Sequence, residues 1–180
     1  ASGNLYFVDA YNWPYSIKKI TAGGVVSDIV NDEAYYPQYL TLDNNGNLYF
    51  TDAMNWPGDI KKVTPDGAIS VFAAGNYNPG YMVADPVCNL YFTDDYNWPM
   101  EIKKATPDGT VSTFVTGDYY PQNIALGPEG NLYFRDDYNW PPEIKQVTPD
   151  GTVSTFINTG IQNANSLATD QYGNVYFINQ

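Results

Sequence analysis

Gly46-Asn47-Leu48-Tyr49-Phe50-Thr51-Asp52 is the stretch on which the reading of this chain turns, because it recurs. Gly-Asn-Leu-Tyr-Phe also begins at Gly3 and Gly130, becomes Cys-Asn-Leu-Tyr-Phe at Cys88, and ends the series as Gly-Asn-Val-Tyr-Phe at Gly173. The spacings are 43, 42, 42 and 43 residues. Working outward, Asn-Trp-Pro follows the first four copies, carrying Trp13, Trp56, Trp98 and Trp140. An Ile-Lys pair comes next, at Ile17, Ile60, Ile102 and Ile144. Thr-Pro-Asp-Gly then closes three of the units, at Thr64, Thr106 and Thr148, where the first unit has Thr21-Ala22-Gly23-Gly24. A period near 42 residues is the mark of a repeat architecture, in which no unit buries its apolar faces alone.

Within one period every signal is for strands. Asn123-Ile124-Ala125-Leu126 is a short apolar run, and Gly127-Pro128-Glu129-Gly130 is turn chemistry. Residues 131–136 are aromatic and apolar, 143–147 form a third strand, and 152–156 a fourth after the Pro149-Asp150-Gly151 turn. No ten-residue stretch has helical spacing free of Gly and Pro. Four short antiparallel strands per 42 residues predict an all-β fold, a β-propeller with four-stranded blades. Such a blade has two faces to cover, so Leu48 and Phe50 point one way and Tyr49 the other. With strands lettered a to d from the innermost outward, the chain reads bcd, abcd, abcd, abcd, ab: roughly four blades plus one surplus strand. Residues 1–180 are expected to form one propeller or propeller fragment. The surplus strand leaves three arrangements open: a closed four-blade ring, a fragment or engineered piece whose chains complete one another's blades, or a filament built by edge pairing.

The pattern Pro-x-x-Ile-Ala-Leu-x-x-x-Gly-Asn-Leu-Tyr-Phe-x-Asp, followed by Ile-Lys-x-Val-x-Pro-Asp-Gly-Thr-Val-Ser-Thr-Phe, resembles the NHL repeat over essentially the whole chain. The resemblance implies a propeller, and a protein-interaction scaffold as its commonest use. The chain departs from that family just before the third-strand Ile, where Ser16, Asp59, Glu101 and Glu143 replace a basic residue.

Composition narrows the function. The 180 residues are 43% apolar, 16% charged and 16% aromatic, with 17 Tyr and 4 Trp. Low charge with many aromatics argues for a packed core rather than disorder. Eight Lys and Arg against 20 Asp and Glu give a net charge of -12, a poor footprint for nucleic acid or anionic membranes. There is no histidine, which excludes Ser-His-Asp hydrolysis and His-ligated metals. The lone cysteine, Cys88, cannot form an internal disulfide and reads as a chance thiol on a loop. The chain has no 18-residue apolar run and opens without a basic-then-apolar leader, so a secreted form would have lost its signal. Acidic charge with abundant Tyr, Asn and Thr suits an extracellular protein. The innermost strands (Tyr39, Leu40, Thr41, Met82, Val83, Ile124, Leu126) read as too apolar for a catalytic channel, so the chain is expected not to be an enzyme and to need no cofactor or metal.

The b–c loops and the d–a linkers of a propeller emerge at the same end. Here they place Trp13, Trp56, Trp98 and Trp140 with Asn12, Asn55, Asn97 and Asn139, with Tyr36, Tyr77 and Tyr120 from the linkers, and with Asp95 and Asp137. An indole offers apolar area to the C–H face of a sugar, and amides and carboxylates serve its hydroxyls. The expected function is multivalent, lectin-like carbohydrate binding. The alternatives are a protein-interaction face, since Tyr and Trp also dominate interfaces, or a self-assembling propeller subunit. A plainer role for the Trp residues is packing against the neighbouring blade. The strand-b aspartates Asp9, Asp52, Asp94 and Asp136 read as structural acceptors of backbone N–H groups. Of the Ile-Lys pairs, one Lys is expected over aromatic surface and the other in solvent.

Overall fold

The computed structural model describes residues 3–11, 13–96, 98–138, 140–160 and 164–179. They hold seventeen strands and no helix. The first sheet has three strands, β1 (Leu5–Asp9), β2 (Ser16–Ile20) and β3 (Val26–Asn31). Three four-stranded sheets follow: β4 (Pro37–Leu42) to β7 (Ile69–Ala73) through β5 (Leu48–Asp52) and β6 (Asp59–Val63); β8 (Pro79–Ala84) to β11 (Val111–Val115) through β9 (Leu90–Asp94) and β10 (Glu101–Ala105); and β12 (Pro121–Leu126) to β15 (Val153–Ile157) through β13 (Leu132–Asp136) and β14 (Glu143–Val147). The chain ends in a pair, β16 (Ala164–Thr169) and β17 (Val175–Asn179). Each sheet is antiparallel in simple chain order, the pattern of a propeller blade. The sheets form an open fan, not a closed ring. The two b strands at the chain's ends, β1 and β17, therefore sit in separate incomplete blades, and the four-blade closure is not adopted.

The core lies between blades. Leu48 and Phe50 of β5 pack back on Ile17 and Val30 of the first blade, while Tyr49 between them packs forward on Leu90 and Phe92 of the third. The next seam repeats this: Tyr91 of β9 meets Leu132 and Phe134 of β13. The strand period of two thus feeds two separate apolar layers. Phe50, Phe92 and Phe134 are fully buried. Each receives a tyrosine from its own linker, Tyr35 at 5.8 Å and Tyr119 at 5.8 Å edge-on, and Tyr77 at 5.5 Å tilted, between centroids. Edge-on contact of this kind adds about 1 kcal/mol to the area buried.

The innermost strands carry a feature that their apolar look hides. The register slips between Pro37 and Leu40, Pro79 and Met82, and Gln122 and Ile124. Asn123 and Ser166 take positive φ of 45° and 58° at this bulge. A bulge re-aims side chains, and apart from Gly80 the residues inside these slips are polar or aromatic: Gln38, Tyr39, Tyr81 and Asn123. Cys88 stands where the other units have glycine, with φ 66°, and its buried thiol accepts a contact from Asn45 Nδ2 at 3.2 Å. The free thiol does lie on a turn, as expected, but it is buried against the neighbouring turn rather than open to solvent.

Candidate functional site

The strand-b aspartate ties the two sets of loops at one end. Asp52 Oδ1 accepts from the backbone N–H of Tyr36 in the linker (2.8 Å) and of Met54 in the b–c loop (3.1 Å). Asp94 does the same with Asn78 and Tyr96, and Asp136 with Tyr120 and Tyr138. Backbone bonds from Ala53 to Tyr36, Asp95 to Asn78 and Asp137 to Tyr120 complete the join. Asp52, Asp94 and Asp136 are no more than 5% exposed. Lys61 and Lys103 reach Asp52 and Asp94 at 3.7 and 3.4 Å while also pairing with Asp59 and Glu101. The second lysine of each pair, Lys62 or Lys104, lies over the ring of Tyr49 or Tyr91. The lysine expected in solvent is thus the one held by carboxylates, at 13–14% exposure.

This staple fixes the end from which the indoles rise. Trp13 is 52% exposed, Trp56 and Trp98 68%, and Trp140 81%. Each of the first three rests one face on tyrosine and leaves the other open. Trp56 stacks on Tyr96 of the next blade at 5.8 Å, and Trp98 on Tyr138 at 6.2 Å, with interplanar angles of 24° and 21°. Trp98 also touches Tyr120 at 5.8 Å. Trp13, whose next loop has Met54 where the others have tyrosine, turns to Tyr36 and Tyr15, both at 6.0 Å. Packing across the seam and exposure to solvent are therefore both features of the indoles. All four Trp-Pro bonds are cis.

The other candidates divide. Asn55 is exposed beside Trp56, while Asn12, Asn97 and Asn139 lie outside the described residues. Tyr36 and Tyr120 are half-buried under Trp13 and Trp98. The hydroxyl of Tyr15, hydrogen-bonded to it, raises the pKa of Tyr36. Tyr77 does not belong to this surface. It is 6% exposed against Phe92, in the register of Tyr35 and Tyr119, and its hydroxyl has no partner. Burial, then the charges of Asp59 and Asp94, push its pKa up to about 12. The residue that matches Tyr36 and Tyr120 is Asn78, just before Pro79. Asp95 is exposed and accepts from Asn78 Nδ2 at 2.5 Å. Asp137 is held by both sides of the Arg135 guanidinium at 2.5 Å, so its charge is already answered.

Beside Trp56 lies a cavity of about 350 Å³ lined by Gln38, Asp52, Met54, Asn55, Gly58 and Asn78, among others. A smaller one, about 110 Å³, shares Gln38, Asn78 and Pro79 with it and opens on Tyr39, Tyr81 and Gln122 at the bulged inner strands. Tyr39 and Tyr81 are 4.4 Å apart between centroids. Burial and then the Tyr81 hydroxyl push Tyr39 up to about 12, so it stays protonated and able to donate at neutral pH. Gln38, Tyr39, Gly58, Asn78 and Tyr81 escape a reading by residue type. The linker register, aligned on Pro37, Pro79 and Pro121, is the signal that finds Asn78.

No family model matches the chain, and no curated protein does. The NHL resemblance therefore rests on the repeat motif. Solved structures do match, and they are propellers. A chain of a nidogen/laminin complex superimposes with a TM-score of 0.78 at 18% identity, over 98% of this chain and 69% of that one. TolB from Acinetobacter baumannii gives 0.82 at 14%, over 99% and 47%. A streptogramin B lyase gives 0.75 at 21%, over 99% and 59%. The chain thus spans about half to two thirds of the length of these proteins. The lyase corrects one expectation. Enzymes occur among the structures that share this fold, so apolar inner strands do not exclude catalysis; in this chain Gln38, Tyr39, Tyr81 and Gln122 line a cavity at the inner strands beside the apolar residues. The fold of this chain is that of a β-propeller, seen as an open run of blades.

Proposed function

We propose that the Trp-bearing end of this chain is a binding surface for neutral carbohydrate. One observation carries the reading: four indoles with 52–81% exposure, three of them backed on one face by tyrosine, which leaves the other face free and flat. An exposed indole of fixed orientation suits the C–H face of a pyranose, which needs apolar contact without a deep apolar pocket. The neighbouring Asn55, Asn78 and Gln38 are uncharged and can both give and accept hydrogen bonds to hydroxyls. Repetition along the fan suits a polymer or a clustered glycan, because weak sites add through effective concentration.

A protein-docking face is the second reading. The breadth of the aromatic row favours it, as does the likeness to a chain of a nidogen/laminin complex. A microarray of neutral glycans separates the two. The carbohydrate reading expects binding that strengthens with glycan density and weakens at least tenfold in a Trp56→Ala, Trp98→Ala double variant. Absence of binding to every neutral glycan at millimolar ligand overturns it.

A further inference from the structure

The blade seams are near-copies, yet they differ in what stands beside the tryptophan, and at Trp56 the seam opens into a cavity. Two positions decide this. The residue before strand c is Tyr15, Gly58, Met100 and Pro142 in successive blades, and the linker residue before the next strand a is Tyr36, Asn78 and Tyr120. At the first seam Tyr15 and Tyr36 lie 4.7 Å apart between centroids, with Trp13 on both, so rings fill the space. At the third, Met100 is buried and Tyr120 rests against Trp98. At the second, both positions are small. Gly58 and Asn78 leave the cavity of about 350 Å³ between Trp56 and Gln38. A Cβ on Gly58 would stand 3.3 Å from Asn78 Oδ1 and 3.0 Å from the Asp52 carbonyl, so the absent side chain and the amide oxygen share that space.

We propose that this seam is a single monosaccharide-binding pocket: one neutral pyranose ring enters beside the Trp56 indole and hydrogen-bonds Asn78 and Gln38. The proposal rests on the carbohydrate reading above and places its specific site at one seam, with the other indoles as weaker contacts. The electrostatics fit an uncharged hydroxyl donor. Asn78 Nδ2 donates to Asp95 Oδ1 at 2.5 Å, which polarises the amide and leaves Oδ1 as a strong acceptor toward the cavity. A carboxylated sugar would meet the carboxylates of Asp52 in this cavity and Asp95 in the adjoining one, and is disfavoured. The volume suits one sugar ring with water, not an oligosaccharide. The adjoining chamber, with Tyr39 and Tyr81, would take a substituent from that ring.

The test is calorimetric titration of the protein with methyl glycosides of glucose, galactose, mannose, N-acetylglucosamine and N-acetylgalactosamine. Three single variants accompany it: Gly58→Met and Asn78→Tyr, each installing the residue of the third seam, and Trp98→Ala. The expected result is one site per chain for at least one glycoside, weakened tenfold or more by Gly58→Met and by Asn78→Tyr, and weakened less by Trp98→Ala, which removes one of the weaker contacts, than by either of them. Both filling residues are native to this repeat, and thermal unfolding confirms that the variants fold. If a variant fails to fold, Gln38→Ala replaces it and is expected to weaken binding at least fivefold. Glycoside binding that survives Gly58→Met and Asn78→Tyr unchanged overturns the pocket and leaves the broader carbohydrate reading standing. No binding of any glycoside to the parent protein, together with a blank glycan array, overturns both.

Discussion

The two ends of the blades are built on opposite terms. At the end away from the tryptophans, the turns answer their own polar groups. Asp43 accepts from the backbone N–H of Asn45 and Asn47, from Asn47 Nδ2 and from the Tyr49 hydroxyl. Asp170 repeats the set with Tyr172, Asn174 and Tyr176. Thr64, Thr106 and Thr148 each give their hydroxyl to the aspartate two residues on. At the other end the strand-b aspartates Asp52, Asp94 and Asp136 are buried to hold loops in place, and those loops raise large apolar rings into solvent beside their polar residues. A chain minimising its own free energy would not expose four indoles there. The contrast teaches that one end closes the fold and the other presents a surface.

The contrast can be broken by mutation. Asp94→Ala removes the acceptor of two backbone N–H groups and the partner of Lys103, all in a site 2% exposed, and is expected to cost about 3 kcal/mol, read as a shift in urea midpoint. At the opposite end, Gly109 and Gly67 have φ of 85° and 91° in equivalent turns, but a Cβ on Gly109 would lie 2.3 Å from the Phe72 carbonyl while one on Gly67 meets nothing. Gly67→Ala is expected to cost about 1 kcal/mol for its backbone alone, and Gly109→Ala at least 1 kcal/mol more; equal losses would mean that the third blade's turn does not press on the second. Trp98→Ala is expected to change stability by less than about 1 kcal/mol, since most of its surface is already in water. A loss above about 2 kcal/mol there would make the tryptophans packing residues first.

Acid should act mainly through the self-satisfied end. Burial raises the pKa of Asp43, but hydrogen bonds from Asn47, Tyr49 and the backbone outweigh it and hold the group below the ordinary carboxylate value. Asn174 and Thr106 do the same for Asp170 and Asp108. A depressed folded pKa means that the unfolded chain binds protons first. The stabilisation is complete above about pH 4 and drains away as pH falls through the folded values. Urea midpoints that stay level from pH 7 to 5 and drop below 4 fit this. A midpoint unchanged at pH 3 does not.

Much of the fold was legible in the repeat. The strands expected across residues 123–156 fall within two residues of β12 to β15, because turn glycines and alternating apolar residues bound them sharply. The two-faced role of Leu48, Tyr49 and Phe50 was also legible, since strand alternation alone dictates it. The bulge was not: Gln122-Asn123-Ile124 reads as ordinary strand, and only pairing with Phe134 and Arg135 reveals the slip. The site was half legible. The tryptophans repeat and announce themselves. Tyr77 was misplaced because Tyr35-Tyr36 and Tyr119-Tyr120 offer a tyrosine at both positions, whereas Tyr77-Asn78 offers one, and the buried slot over Phe92 claims it. Gly58 carries no chemistry of its own and gains meaning only from the residues that fill its place elsewhere.

The most direct measurement is a ¹H–¹⁵N spectrum of the indole N–H groups, titrated with a neutral methyl glycoside. The account predicts four indole signals, of which the one lost in Trp56→Ala shifts progressively and saturates, while the other three move little. Four signals that stay fixed across every glycoside would contradict it.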